Sequence, residues 1–174
     1  MGIKKKIKKI KKMKYKKEEK KELEKMEESS DNDALMKNTI IDNLYRPPYN
    51  VILDTNFIND CVRKKIDVKD ILMEALNANV NIYVTECVFA ELENLGRTYR
   101  IALNMIKKIE HTRLVCDHKG NYADNCILNR VMMNKIFFVA TSDVNLKQRI
   151  IKKAKTPILI FRGRKLYSEN FHGV

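Results

Sequence analysis

Val51-Ile52-Leu53-Asp54-Thr55-Asn56-Phe57-Ile58 opens on a short apolar run that passes directly into an aspartate. Ile136-Phe137-Phe138-Val139-Ala140-Thr141-Ser142-Asp143 repeats the arrangement late in the chain. Short continuous apolar runs without polar alternation suit strands buried on both faces of a parallel sheet. Between and beyond them, strand and helix patterns take turns. Residues 67–79 predict a helix: Val68, Ile71, Leu72, Ala75 and Leu76 fall at helical spacing, and Asp67 stands at the N-cap. Residues 80–84 predict a strand, after which Thr85 caps a helix that ends at Gly96. Residues 97–109 predict a further helix with Ile101, Ala102, Met105, Ile106 and Ile109 facing inward, followed by a strand over 112–116. A helix over 122–133, a strand over 136–140, a helix capped by Ser142 and running to about Lys152, and a last strand over 157–161 complete the series. Such alternation predicts an α/β fold: a central parallel sheet of about five strands with helices on both faces.

The organisation around this core follows from charge. The chain has 174 residues, an apolar fraction of 44% and a net charge of +13. Ten of its lysines lie in residues 1–17, which contain no acid, so the remainder carries only +3. A basic arm on a mildly charged body suits a polyanionic partner, although a solvated tail or an import signal would look the same. The expected layout is a basic arm and linker over 1–45, one domain over 46–162, and a tail over 163–174. Arg46-Pro47-Pro48-Tyr49 marks the domain entrance, because proline restricts itself and its predecessor. No apolar run reaches the roughly 20 residues of a membrane helix, and the N-terminus lacks a signal-peptide core. A reducing cytosolic or nuclear setting follows as the expectation, with the four cysteines outside disulfides.

In open parallel sheets, ligands bind beyond the carboxyl ends of the strands, at the point where strand order reverses. Asp54 and Asp143 each follow an apolar strand, Glu91 lies on the helix after the second strand, and Asp124 opens the helix before the fourth. If the first and fourth strands are neighbours, these carboxylates converge. Close carboxylates repel, and some take up protons unless a cation joins them. Mg²⁺ or Mn²⁺, hard ions that prefer oxygen ligands, suit such a site and support phosphodiester hydrolysis without a side-chain nucleophile. The same acids also suit ordinary roles. Asp54 and Asp143 could cap helices, Glu91 could be an exposed helical residue, and Asp124 could favour its helix N-terminus. Spacing alone leaves a metal hydrolase as one reading among these.

Cys87, Cys116, His118 and Cys126 form a second candidate set. Three cysteines and one histidine suit tetrahedral zinc. Buried free thiols beside a surface histidine are the plain alternative. Cys61 is left over and is expected in the core.

The segment 51–58 resembles the opening of a PIN domain. Cys87-Val88-Phe89-Ala90-Glu91-Leu92-Glu93-Asn94-Leu95-Gly96, Tyr99-Arg100-Ile101-Ala102-Leu103, His118-Lys119-Gly120-Asn121-Tyr122-Ala123-Asp124-Asn125-Cys126-Ile127 and Ala140-Thr141-Ser142-Asp143-Val144-Asn145-Leu146-Lys147 narrow the likeness. Together they resemble the eukaryotic Fcf-one family of PIN endonucleases in the small-subunit processome, over about residues 46–162. The resemblance implies a nuclear, nucleolar endoribonuclease that cuts precursor rRNA beside the U-three small nucleolar ribonucleoprotein and other processome proteins. It implies Asp54, Glu91, Asp124 and Asp143 as the catalytic, metal-binding acids. It also strengthens the zinc assignment to Cys87, Cys116, His118 and Cys126. Asn125 and Asn145 stand where the family usually carries further aspartates; each keeps an oxygen ligand and loses a charge. RNA contacts are expected from Arg97, Arg100, Lys119, Lys147, Arg149, Lys152 and Lys153. A non-catalytic RNA-binding assembly factor on the same PIN fold is the alternative. A toxin-type RNase is a third reading, disfavoured by the lysine arm and the 118–126 motif.

Overall fold

The computed structural model describes residues 45–116 and 122–171. The expected basic arm lies outside these residues, except for Tyr45 at its boundary. So do His118 and Lys119.

Five strands run parallel: β1 (Tyr49–Leu53), β2 (Val80–Thr85), β3 (Thr112–Leu114), β4 (Phe137–Ala140) and β5 (Ile158–Arg162). A sixth, β6 (Lys165–Glu169), pairs antiparallel to β5, and the sheet order is β3-β2-β1-β4-β5-β6. Six α-helices are present among the described residues: α1 (Thr55–Lys64), α2 (Val68–Leu76), α3 (Glu86–Asn94), α4 (Arg100–Lys108), α5 (Ala123–Met133) and α6 (Val144–Lys153). The α/β expectation holds, with one strand more than anticipated.

The two apolar runs become the two central strands. Val51, Ile52 and Leu53 pair in register with Phe138, Val139 and Ala140, and all six side chains are fully buried. The chain builds outward from β1 to β2 and β3, then returns to place β4 on the other flank of β1. The reversal therefore lies between β1 and β4. The Asp54 amide donates to the Ala140 carbonyl at 3.0 Å and fastens the two strand ends together.

Local differences from the expected elements have local causes. Helix α1 was not anticipated. Its apolar residues are few, but Phe57, Ile58 and Cys61 form one buried stripe, with Cys61 in the core as expected. Asp67 caps α2 as anticipated, accepting from the Lys69 and Asp70 amides, and Thr85 caps α3 by accepting from the Val88 amide. The single helix expected over 97–109 divides into a 3-10 turn (Gly96–Tyr99) and α4. Gly96 has φ 73°, a left-handed value that interrupts regular helix. Ile101 does not face inward but is 65% exposed, whereas Ala102 and Ile106 are buried and Met105 and Ile109 are partly so. Ser142 does not cap α6. Asp143 does, with Oδ1 accepting from the Asn145 and Leu146 amides.

Residues 163–174 were expected as a tail, but Lys165–Glu169 extend the sheet. Gly163, at φ 66°, lies in the two-residue turn that joins Arg162 to Lys165. Beyond β6, Phe171 packs edge-on against Tyr45, Tyr49 and Phe138, with ring centroids 5.0 to 5.9 Å apart. Burial pushes the Tyr45 hydroxyl up to about 12.

Candidate functional site

Asp54 sits at the strand-order reversal and is 1% exposed. Although it precedes α1, its side chain makes no capping bond. Instead, Thr141 Oγ1 donates to Asp54 Oδ2 at 2.7 Å, and the same Thr141 oxygen accepts from the Asp143 amide at 3.0 Å. One buried hydroxyl thus links the two aspartates that end β1 and open α6. Thr55, also buried, donates from Oγ1 to Glu91 Oε2 at 3.1 Å and brings α3 to the same place.

Glu91, Asp124 and Asp143 line one cavity of about 400 Å³ together with Asn56, Tyr122, Ala123, Asn125 and Arg149. Arg149 Nη1 lies 3.8 Å from Asp124 Oδ2, and its Nη2 donates to Asn125 Oδ1. Asn125, which replaces an acid usual in the resembled family, therefore serves as an acceptor for this guanidinium. The Tyr122 ring is 75% exposed at the cavity.

The electrostatics follow from crowding. Burial raises the Asp54 carboxyl to about 7; repulsion from Asp124 and Glu91 adds to the shift, while hydrogen bonds from the Thr141 hydroxyl and the Thr55 backbone amide oppose it. Burial also raises Glu91, opposed by its Thr55 bond and aided by Asp124. Asp124 is raised by burial and by Asp143, and Arg149 offsets part of this. Burial and mutual repulsion thus disfavour the charged form of all three carboxylates. A hard divalent cation fits that donor set and would restore the charged form. The acids surround the cavity rather than close on one point. Among the described residues, the groups close enough to share one ion are thiols instead.

Those thiols are Cys87 on α3, Cys116 just beyond β3 and Cys126 on α5, with ligand atoms all within 4.8 Å of one another. Cys116 and Cys126 Sγ are 3.2 Å apart and unbridged. Burial raises Cys126 and Cys87; it also opposes ionisation of Cys116, yet hydrogen bonds from Cys126 and Cys87 bring Cys116 below its ordinary value. Zinc with bonds of about 2.3 Å keeps its sulfur ligands roughly 3.8 Å apart, which this trio can satisfy with small shifts. Cys126 and Asp124 lie two residues apart on α5, so the helix turns one toward the thiols and the other toward the acidic cavity.

The basic residues divide. Arg149 lines the acidic cavity, and Lys147 lines a smaller one beside Asp143. Lys152 and Lys153 lie in the last turn of α6, at the end away from Asp143, where they complement the helix dipole. Arg97 and Arg100 are exposed around the 3-10 turn. No chemistry-bearing motif in the sequence marks Thr141 or Thr55. The available signal was position: Thr55 follows Asp54 directly, and Thr141 stands between the end of β4 and Asp143.

The family model of Fcf1 matches residues 74–170. The chain belongs to the Fcf1 family. It is 52% identical over 123 residues to the rRNA-processing protein fcf1 of Schizosaccharomyces pombe, an alignment covering 71% of this chain and 64% of that protein. It is 48% identical over 118 residues to the rRNA-processing protein FCF1 of Saccharomyces cerevisiae, covering 68% of this chain and 62% of that one. The chain thus spans a little under two thirds of the length of these curated relatives. A solved structure of the PIN domain endonuclease Utp24 superposes with a TM-score of 0.69 at 51% identity, over 72% of this chain and 95% of that one. The fold is a PIN domain. No helix among the described residues is long and apolar enough to cross a membrane.

Proposed function

We propose that this Fcf1-family chain is a divalent-cation-dependent endoribonuclease that cuts precursor rRNA during maturation of the small ribosomal subunit. The observation that carries the reading is the gathering of Asp54, Glu91, Asp124 and Asp143, from four separate elements, around the reversal in strand order. The names of the relatives, rRNA-processing proteins and a PIN domain endonuclease, support it.

When bound, Mg²⁺ or Mn²⁺ supplies Lewis acidity toward the phosphodiester and lowers the pKa of the attacking water. Asp54, Glu91, Asp124 and Asp143 hold it. Thr141 and Thr55 orient Asp54 and Glu91 through their hydroxyls. Arg149 presents a fixed cation to a phosphate oxygen, and Tyr122 offers an exposed ring face to an unpaired base. Phosphate contacts position a strand without reading its sequence, so base-paired guide RNA and neighbouring proteins select the cut. The partners in this reading are precursor rRNA, the U-three small nucleolar ribonucleoprotein and other processome proteins, in the nucleolus. Cys87, Cys116 and Cys126 would hold a structural Zn²⁺.

The test is Asp54→Asn in the purified protein, which loses Mn²⁺-dependent cutting of an RNA spanning the site while remaining folded. Unchanged cleavage refutes the assignment. A second reading, a non-catalytic RNA-binding assembly factor, draws on the spread of the acids around the cavity and on the Arg149–Asp124 pairing. It predicts RNA binding with no cutting by the wild type.

A further inference from the structure

A second cavity, of about 260 Å³, adjoins the acidic one, and Asp143 lines both. Its other walls include Asp60, Lys64, Ser142, Lys147 and Phe161. We propose that this cavity binds a phosphate of the RNA strand, next along the chain from the phosphate placed among the catalytic acids. The proposal rests on the nuclease reading above and adds a subsite to it.

Three observations carry it. Lys64 Nζ lies 3.7 Å above the centre of the Phe161 ring, whose plane stacks against Phe57 at 5.1 Å and 16°. A cation held over an aromatic face keeps its N–H groups for a ligand, because a ring quadrupole does not neutralise it as a carboxylate would. Asp60, one helical turn earlier, is within ion-pair distance of Arg63 instead, at 3.9 Å. Second, Ser142 Oγ is shielded from solvent and has no hydrogen-bond partner. A buried hydroxyl without a partner is destabilising, and an acceptor oxygen entering beside it would relieve that. Third, Lys147 is held at 2.7 Å by Glu169 of β6, which fixes a second ammonium on the same wall.

Electrostatics give these groups a task. The acidic cavity sets Glu91, Asp124, Asp143 and the nearby Asp54 against Arg149 alone as a lining cation, so it repels an RNA backbone until cations are bound. In the adjoining cavity Lys147 is matched by Glu169 and Asp60 stands near Arg63, so the Lys64 ammonium, whose partner is a ring, is the cation left to meet a phosphate. A single strand laid over Asp143 would place successive phosphates on opposite sides of that residue.

The subsite can be read without cleavage. The 5′-phosphorylated dinucleotide pUpU is titrated into the full chain, and the backbone amide shifts of Ser142, Val144 and Phe161 are followed. Lys64→Ala weakens the dinucleotide roughly tenfold at low salt and flattens its salt dependence by about one phosphate contact, while Lys64→Arg restores both. Equal affinity for the wild type and Lys64→Ala, or shifts confined to Glu91 and Asp124, overturns the subsite. If the shifts and the Lys64 effect appear but the wild type cuts no RNA, the subsite stands and the nuclease reading fails.

Discussion

Replacing Asp54 by Asn should stabilise the ion-free protein, and pH sets by how much. The Asp54 carboxyl titrates at about 7 in the fold against an ordinary value of 3.8. The folded state therefore holds the Asp54 proton more tightly than the unfolded chain does. Asp54's contribution is complete below pH 3.8, declines as pH rises, and is lost above about pH 7. The interval corresponds to roughly 4 kcal/mol. An amide carries no charge at any of these pH values, and its carbonyl can still accept from Thr141 Oγ1. The gain from Asp54→Asn should thus be near zero at about pH 4 and approach about 4 kcal/mol at about pH 8. The assay is urea unfolding of both proteins in EDTA across that range. Adding Mn²⁺ at about pH 8 should then stabilise the wild type more than the variant, because an ion bound to the native state shifts unfolding by mass action. A variant equal to or weaker than the wild type at about pH 8 in EDTA would refute the electrostatic argument.

Thr141→Val removes the donor to Asp54 and the acceptor for the Asp143 amide together. It should cost about 1–3 kcal/mol in urea unfolding and lower the cutting rate beyond what the stability loss explains. Cys126→Ser should abolish the zinc measured by elemental analysis of purified protein and lower the melting temperature; zinc retained at one ion per chain would count against the thiol site. Phe171→Ala removes a partly buried ring packed against three aromatic rings and should destabilise by about 2–3 kcal/mol in urea unfolding, whereas a loss below about 1 kcal/mol would count against that packing.

The parallel centre of the sheet is legible in sequence because strands buried on both faces read as unbroken apolar runs. The run of β1 leads directly into Asp54, and that of β4 ends three residues before Asp143. The caps at Asp67 and Thr85 are legible for a similar reason, since each stands immediately before a periodic apolar stretch. Helix α1 is not, because Asn56, Asn59 and Asp60 dilute its buried stripe of Phe57, Ile58 and Cys61. Strand β6 is hidden by charge. Lys165 and Glu169 flank only one buried apolar residue, Leu166, and an edge strand needs no more than that. The turn glycine at 163 was the available signal. The four acids can be named from position alone, but not how they are held. Hydrogen bonds from Thr141 and Thr55 join residues distant in sequence, and no local pattern encodes them.

Strand β6 has a consequence for how the molecule behaves in company. A parallel sheet ending at β5 would offer a row of unpaired backbone groups to any neighbouring chain. The antiparallel return covers that row, and the Lys147–Glu169 and Arg162–Glu169 ion pairs place charge along the new margin. At the opposite margin, β3 is three residues long and carries Arg113. Both borders therefore discourage strand-to-strand stacking between copies of the chain.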